Sequence, residues 1–146
     1  MGFLFKFVEL MAALKYRSYQ LMVMSTDNLA RLADHKYINL ETYKKNGQAV
    51  QTPVWFVIDN AQIFVTTRPD TGKVKRIRNN DTVKIMPCGM RGEPRGEWIS
   101  GTARFADESE SKNAGNLRRK KYGIKARLVG AFTYRGVEPK VIAIRI

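Results

Sequence analysis

Past residue 36 the chain alternates between two periods, and that alternation predicts a small β-rich domain. Ile38 and Leu40 alternate with Asn39 and Glu41 across Tyr37–Tyr43, the two-residue period of a half-buried strand. Lys45-Asn46-Gly47 is a turn signal, because Asn and Gly tolerate positive φ. Val50, Thr52, Val54, Phe56 and Ile58 resume the alternation, Asp59-Asn60 makes a second turn, and Gln62–Thr67 predicts a third strand. Arg68–Gly72 reads as a loop and Lys73–Asn79 as a short helix with Val74 and Ile77 inward. Thr82–Cys88 and Trp98–Phe105 predict two more strands around the Gly/Pro-rich loop Arg91–Gly96. Residues 108–122 predict a polar helix ending at Gly123, and Phe132–Tyr134 and Val141–Ile146 predict closing strands. Six or seven short strands with short helices between them indicate a small barrel in one domain.

The amino-terminal segment follows a different pattern. Met1–Met24 is apolar-rich, but Lys6, Glu9, Lys15 and Arg17 interrupt it, so it falls short of a membrane span. It lacks a small-residue cleavage site and carries only Lys6 as a basic residue in its first 14, which argues against a secretory signal. Phe3, Phe7, Leu10, Met11 and Leu14 fit helical spacing. Residues 1–24 are therefore an extension, either an amphipathic helix or a dispensable lead-in to a core beginning near Met24. Ser25-Thr26-Asp27 has the character of a helix start, and residues 25–146 form the folded domain. A membrane-surface role for residues 1–24 is the weaker reading, since one amphipathic stretch anchors weakly. The expected location is cytoplasmic.

Charge adds a demand for an anionic partner. The 146 residues carry 26 Lys+Arg against 13 Asp+Glu, a net charge of +13. One cysteine, Cys88, allows no internal disulfide, and the lone His35 has no carboxylate cluster with which to hold a metal. Phosphate-loop, H-E-x-x-H and G-x-S-x-G motifs are absent from the sequence. The informative stretch is Thr52–Asn79. Pro53 cannot donate to a sheet ladder and so belongs at an edge, a bulge or a ligand. Lys73, Arg76 and Arg78 lie at or near a short helix's start, where free N–H groups suit a phosphate, with the hydroxyls of Thr66 and Thr67 just upstream. A solvated basic helix face is the bland alternative. The second basic run, Arg118–Lys121, reads on its own as a solvated face.

These residues together resemble a known family. Ile-Asn-Leu-Glu-Thr-Tyr at 38–43, Thr-Pro-Val-Trp-Phe at 52–56, Phe-Val-Thr-Thr at 64–67, Gly-Lys-Val-Lys-Arg-Ile-Arg-Asn-Asn at 72–80 and Val-Lys-Ile-Met-Pro-Cys at 83–88 resemble the pyridoxamine-phosphate-oxidase-like split-barrel flavoproteins. More narrowly, they resemble the branch of deazaflavin (coenzyme F-420) dependent enzymes. The likeness covers roughly residues 26–146. It implies a mainly β, six-stranded split barrel that forms a homodimer, with a cofactor in each of two grooves at the subunit interface. It further implies that Thr52, Pro53, Val54 and Trp55 lie along the tricyclic ring. Thr66 and Thr67 would flank the ribityl chain and phosphate, Lys73 with Arg76 or Arg78 would bind the phosphate, and Trp98 would approach the partner's site.

The B6-oxidising members carry Ser-x-Arg-Lys at the phosphate loop. Here residues 66–73 read Thr-Thr-Arg-Pro-Asp-Thr-Gly-Lys, which weighs against that activity. The absence of an acid, base or nucleophile motif suits a cofactor that carries the hydride chemistry itself. The expectation is an oxidoreductase that uses reduced coenzyme F-420 to transfer a hydride to a small organic acceptor. F-420 is the first choice of cofactor because its acidic tail would use the surplus charge, and FMN is the alternative. The competing readings are an FMN oxidoreductase of the same fold and a cofactor-binding protein without turnover. A basic nucleic-acid-binding barrel stacking bases on Trp55, Phe56, Phe64, Tyr122 and Tyr134 is the weakest, and no nucleic-acid partner is expected.

Overall fold

A computed structural model describes residues 2–146. One helix, α1 (Gly2–Ala33), precedes β1 (Tyr37–Tyr43), β2 (Ala49–Trp55), β3 (Val57–Asp59) and β4 (Gln62–Thr67). Helix α2 (Gly72–Asn79) leads into β5 (Thr82–Cys88) and β6 (Ile99–Phe105). Helices α3 (Glu108–Tyr122) and α4 (Ile124–Thr133) precede the last strand, β7 (Lys140–Arg145). All strand pairs are antiparallel, in the order β2-β1-β5-β6-β7-β4-β3.

The two strands at the ends of that order are consecutive in the chain, separated only by Phe56. The sheet must therefore curl until its edges meet, and β2 with β3 acts as one bent strand of a six-stranded split barrel. The continuous strand expected over residues 50–58 breaks at Phe56 for a visible reason. The Phe56 N–H donates to Tyr122 Oη at 3.0 Å, and Lys121 Nζ donates to the Phe56 carbonyl at 3.0 Å. Side chains of α3 thus replace the sheet ladder at that residue. Pro53 lies on the edge strand β2, where a missing N–H is tolerated.

The barrel interior holds Ile38, Leu40, Phe56, Ile63, Val65, Val83, Ile85, Ile142 and Ile144, all buried, with Ile77 of α2 and Leu32 of α1 closing the cluster. A second cluster joins Ala114 of α3 to Val57, Phe64, Val141 and Ala143 outside the barrel. Helix α3 begins as its sequence requires. Asp107 accepts from the Glu110 N–H at 2.8 Å, and Glu110 accepts from the Asp107 N–H at 3.1 Å, completing a capping box. It ends at Gly123, whose φ of +60° turns the chain directly into α4.

Two sequence expectations are corrected. Ser25-Thr26-Asp27 does not start a helix. Helix α1 runs unbroken from residue 2 to residue 33, and Thr26 Oγ1 bonds back to the Met22 carbonyl at 2.9 Å instead of capping. Phe132–Tyr134 is not a strand, because Phe132 and Thr133 close α4 and Tyr134 caps it. Phe132-Thr133-Tyr134 carries β propensity but no period, and it instead completes α4, whose cap residue Tyr134 bonds to the Thr66 carbonyl of β4.

Candidate functional site

The groove between the bent β2–β3 strand, β4 and the α3–α4 pair gathers most of the residues singled out above. Trp55 at the end of β2 stacks on Tyr122 of α3, with ring centroids 4.3 Å apart and planes 6° from parallel. The Arg118 guanidinium lies 5.5 Å from the Trp55 ring centre and 5.3 Å from that of Tyr134. Ala114, Arg118 and Tyr122 recur every four residues, so one face of α3 turns toward the barrel. The helices are pinned across the groove at several points. Tyr134 Oη donates to the Thr66 carbonyl at 3.1 Å, Arg68 Nη1 to the Thr133 carbonyl at 2.7 Å, and Tyr122 Oη reaches the Lys36 carbonyl at 2.7 Å.

Beneath these contacts lies a cavity of about 240 Å³ lined by Val54, Trp55, Thr66, Thr67, Lys73 and, from the helices, Arg118 and Tyr134. Lys73 enters from the first turn of α2 and donates to Thr67 Oγ1 at 3.2 Å. Thr71, the residue before α2, sets its hydroxyl 3.4 Å from the same Thr67 oxygen. Burial and the neighbouring Arg76 guanidinium push the Lys73 amine below the ordinary lysine value. Among the described residues no carboxylate pairs with Lys73. Arg68, at the same rim, is already neutralised by Asp70 at 3.0 Å. The cavity therefore presents a partly desolvated ammonium, two hydroxyls and a flat aromatic face.

A larger groove of about 910 Å³ adjoins it and shares Thr66 and Arg118. The inner cavity alone is below the roughly 300 Å³ of a usual small-molecule site. A ring system with a phosphorylated chain would extend past Arg118 into the wider groove or displace α4.

The remaining predicted residues stand elsewhere. Thr52 pairs with Leu40 and Pro53 with Asn39, further along β2 from the cavity. Arg76 and Arg78 occupy the last turn of α2, not its start. Arg76 Nε donates to Thr42 Oγ1 at 2.7 Å, and Arg78 lies over Phe105, 5.7 Å from its ring centre. Trp98, just before β6, is 38 % exposed. Cys88 is buried, and burial raises its thiol above the ordinary value, so it is an inert core residue. No group of three metal-ligating side chains exists among the described residues.

The sequence names Tyr122 and Tyr134 only as stacking aromatics of a nucleic-acid barrel and Arg118 only within a solvated basic run, and places none of them at the cofactor site. The four-residue recurrence of Ala114, Arg118 and Tyr122 was the available signal for Arg118 and Tyr122. Tyr134 had none, since its role depends on how α4 turns back to β4.

A curled antiparallel sheet closed by a bent strand defines the split-barrel fold. The family model for pyridoxamine 5'-phosphate oxidase (PNPOx_N) matches residues 25–145, and the chain belongs to that family. Among curated proteins no sequence is similar enough to match. Three solved structures illustrate the shared fold. A candidate pyridoxamine 5'-phosphate oxidase from Listeria innocua is 18% identical with a TM-score of 0.57, over 83% of this chain and 91% of that one. An FAD-binding protein from Mesorhizobium loti is 15% identical with a TM-score of 0.56, over 83% and 86%. HutZ, the heme storage protein of Vibrio cholerae, is 12% identical with a TM-score of 0.62, over 82% and 87%.

Proposed function

We propose that this chain is an oxidoreductase whose cofactor is a flavin-type ring with a phosphorylated side chain, coenzyme F-420 first and FMN second. The observation that carries this reading is Lys73: a partly buried ammonium beside Thr67 and Thr71, with a second cation near it and no carboxylate on it. A phosphate would relieve that charge and accept from all three groups. Trp55 and Val54 would lie against the ring, and Arg118 would leave its place between Trp55 and Tyr134 to meet the anionic chain. Such a cofactor, when bound, supplies the hydride chemistry; the protein binds it, orients it and keeps water from one face. The acceptor is a small organic molecule, and the protein acts in the cytoplasm as a homodimer.

The names of two structural relatives raise heme as a competing ligand. Against it, the one histidine, His35, lies between α1 and β1 and does not line the cavity. Among the cavity's lining residues only Tyr134 could serve as an axial ligand. Nor does Phe56 offer a stacking face for bases, because it is buried under Lys121.

The test is equilibrium titration of the purified protein with F-420, FMN and heme, followed by fluorescence or absorbance. Micromolar binding of F-420 or FMN is expected. Binding of neither would sink the reading. A cofactor that binds and is reduced, but that no panel of enones and quinones reoxidises, would leave a carrier and not an enzyme.

A further inference from the structure

We propose that the amino-terminal two-thirds of α1 docks in the interface of an anionic lipid surface. The proposal is independent of the cofactor reading, because α1 does not line the cofactor cavity.

The helix is attached to the barrel only near its carboxyl end. Leu32 is buried in the core, Leu29 packs against it, and Ser25 Oγ donates to the Ile146 carbonyl at 2.8 Å. Residues 2–22 are all exposed. Their apolar side chains are large: Phe3 is 86% exposed and Leu10 56%, with Phe7, Met11, Leu14 and Leu21 also open. Leaving so much apolar surface in water is costly, so this segment needs a cover.

The form of the apolar surface selects the cover. At 100° per residue, apolar positions between 3 and 23 spread over about 240° of the helix circumference. A helix that pairs with one partner helix needs only the narrow a/d seam. The polar remainder is a strip holding Gly2, Lys6, Glu9, Ala13, Arg17 and Gln20. Tyr16 falls at one edge of the apolar arc, where an amphipathic ring suits a water–lipid boundary. No helix among the described residues is long and apolar enough to cross a membrane. An apolar arc bounded by a strip that holds Lys6, Glu9 and Arg17, too interrupted to span, fits a helix lying in the plane of the interface.

Charge supplies the second argument. Residues 2–24 contain Lys6, Lys15 and Arg17 against Glu9 alone, and the whole chain carries +13. Anionic headgroups attract such a surface, and each basic residue near the plane adds to binding. Lys15 and Ser18 stand near the middle of the apolar arc and interrupt it there, and the long stem of Lys15 lets its ammonium turn back toward the headgroups.

The test is co-sedimentation of the full chain with vesicles of phosphatidylcholine alone or with added phosphatidylglycerol. Partitioning onto the anionic vesicles is expected to be at least tenfold stronger than onto neutral ones and to weaken as salt is raised. The double variant Phe7→Asp/Leu14→Asp should lose at least tenfold in partitioning while keeping the wild-type melting temperature, since both side chains are exposed. Equal sedimentation of wild type and variant would overturn the proposal, as would equal binding to neutral vesicles. It would also fail if the wild type stays in the supernatant. In that case a light-scattering mass that falls in the variant would assign the helix face to contact between copies of this chain.

Discussion

Lys73 is held partly out of water beside another cation, an arrangement that costs the unliganded chain and rewards an anion. Removing the ammonium should therefore weaken cofactor binding more than it disturbs the fold. Lys73→Ala is expected to lose about 1.5–3 kcal/mol of cofactor affinity, the range of a charge-assisted hydrogen bond, measured by titration. Tyr122 makes a contrasting case. Its hydroxyl accepts from the Phe56 N–H at the break between β2 and β3, so Tyr122→Phe leaves that N–H unpaired. The expected cost is about 1–3 kcal/mol of stability in urea unfolding. Next to it, burial pushes the Lys121 amine down to about 8. Between about pH 8 and the ordinary lysine value of 10.5, the unfolded chain holds more protons at this site, so stability rises with pH there. Tyr122, pushed up to about 12 by burial, stabilises below pH 10 and loses that contribution as pH climbs from 10.0 to about 12. The melting temperature should accordingly climb from pH 8 to pH 10, and Lys121→Met should flatten the climb.

At the scale of elements, sequence and structure agree where local chemistry decides. Helix α3 matches its expected ends because the Asp107–Glu110 box and Gly123 are local signals. Its start also carries a testable pH response. Glu110 is held at about 2 by Arg104 and by the Asp107 backbone. The stabilisation it gives is present above the ordinary carboxyl value of 4.5 and is lost as pH falls toward 2, so the first turn of α3 should fray over that window in amide exchange. Agreement ends where tertiary contacts decide. The alternation from Val50 to Ile58 contains no mark of the break at Phe56, since the groups replacing the ladder come from residues 121 and 122, some 65 positions away. Phe132-Thr133-Tyr134 reads as a strand until α4 packs beside the groove. Gly101 shows the reverse case. A Cβ there would stand 3.0 Å from the Arg145 carbonyl oxygen and 3.0 Å from Ile144 Cγ2 of β7, so Gly101→Ala should push β6 from β7 and cost about 1–3 kcal/mol.

At the scale of the whole molecule, the excess of 13 positive charges divides by location. Lys73 and Arg118 face the cavity beside Trp55, Arg76 and Arg78 brace the barrel, and Lys6, Lys15 and Arg17 ride on the projecting helix. The pocket side of this division was half legible in the sequence. Val54, Trp55, Thr66, Thr67 and Lys73 belong to strand ends and a helix start that periodicity locates, and they meet at one cavity. Arg118 and Tyr134 reach it only through the docking of α3 and α4; the four-residue recurrence on α3 marks the face that carries Arg118, but nothing local places Tyr134. The central claim is that a phosphorylated ring cofactor binds with its ring on Trp55 and its phosphate on Lys73. The most direct measurement uses Trp98→Phe, which leaves Trp55 as the one fluorescent tryptophan. Titrating this protein with F-420 and FMN should quench Trp55 at micromolar ligand. Adding Lys73→Ala should shift the curve roughly tenfold to a hundredfold, the equivalent of the affinity loss above. Undiminished Trp55 emission at saturation, or an unchanged midpoint without Lys73, would contradict the account.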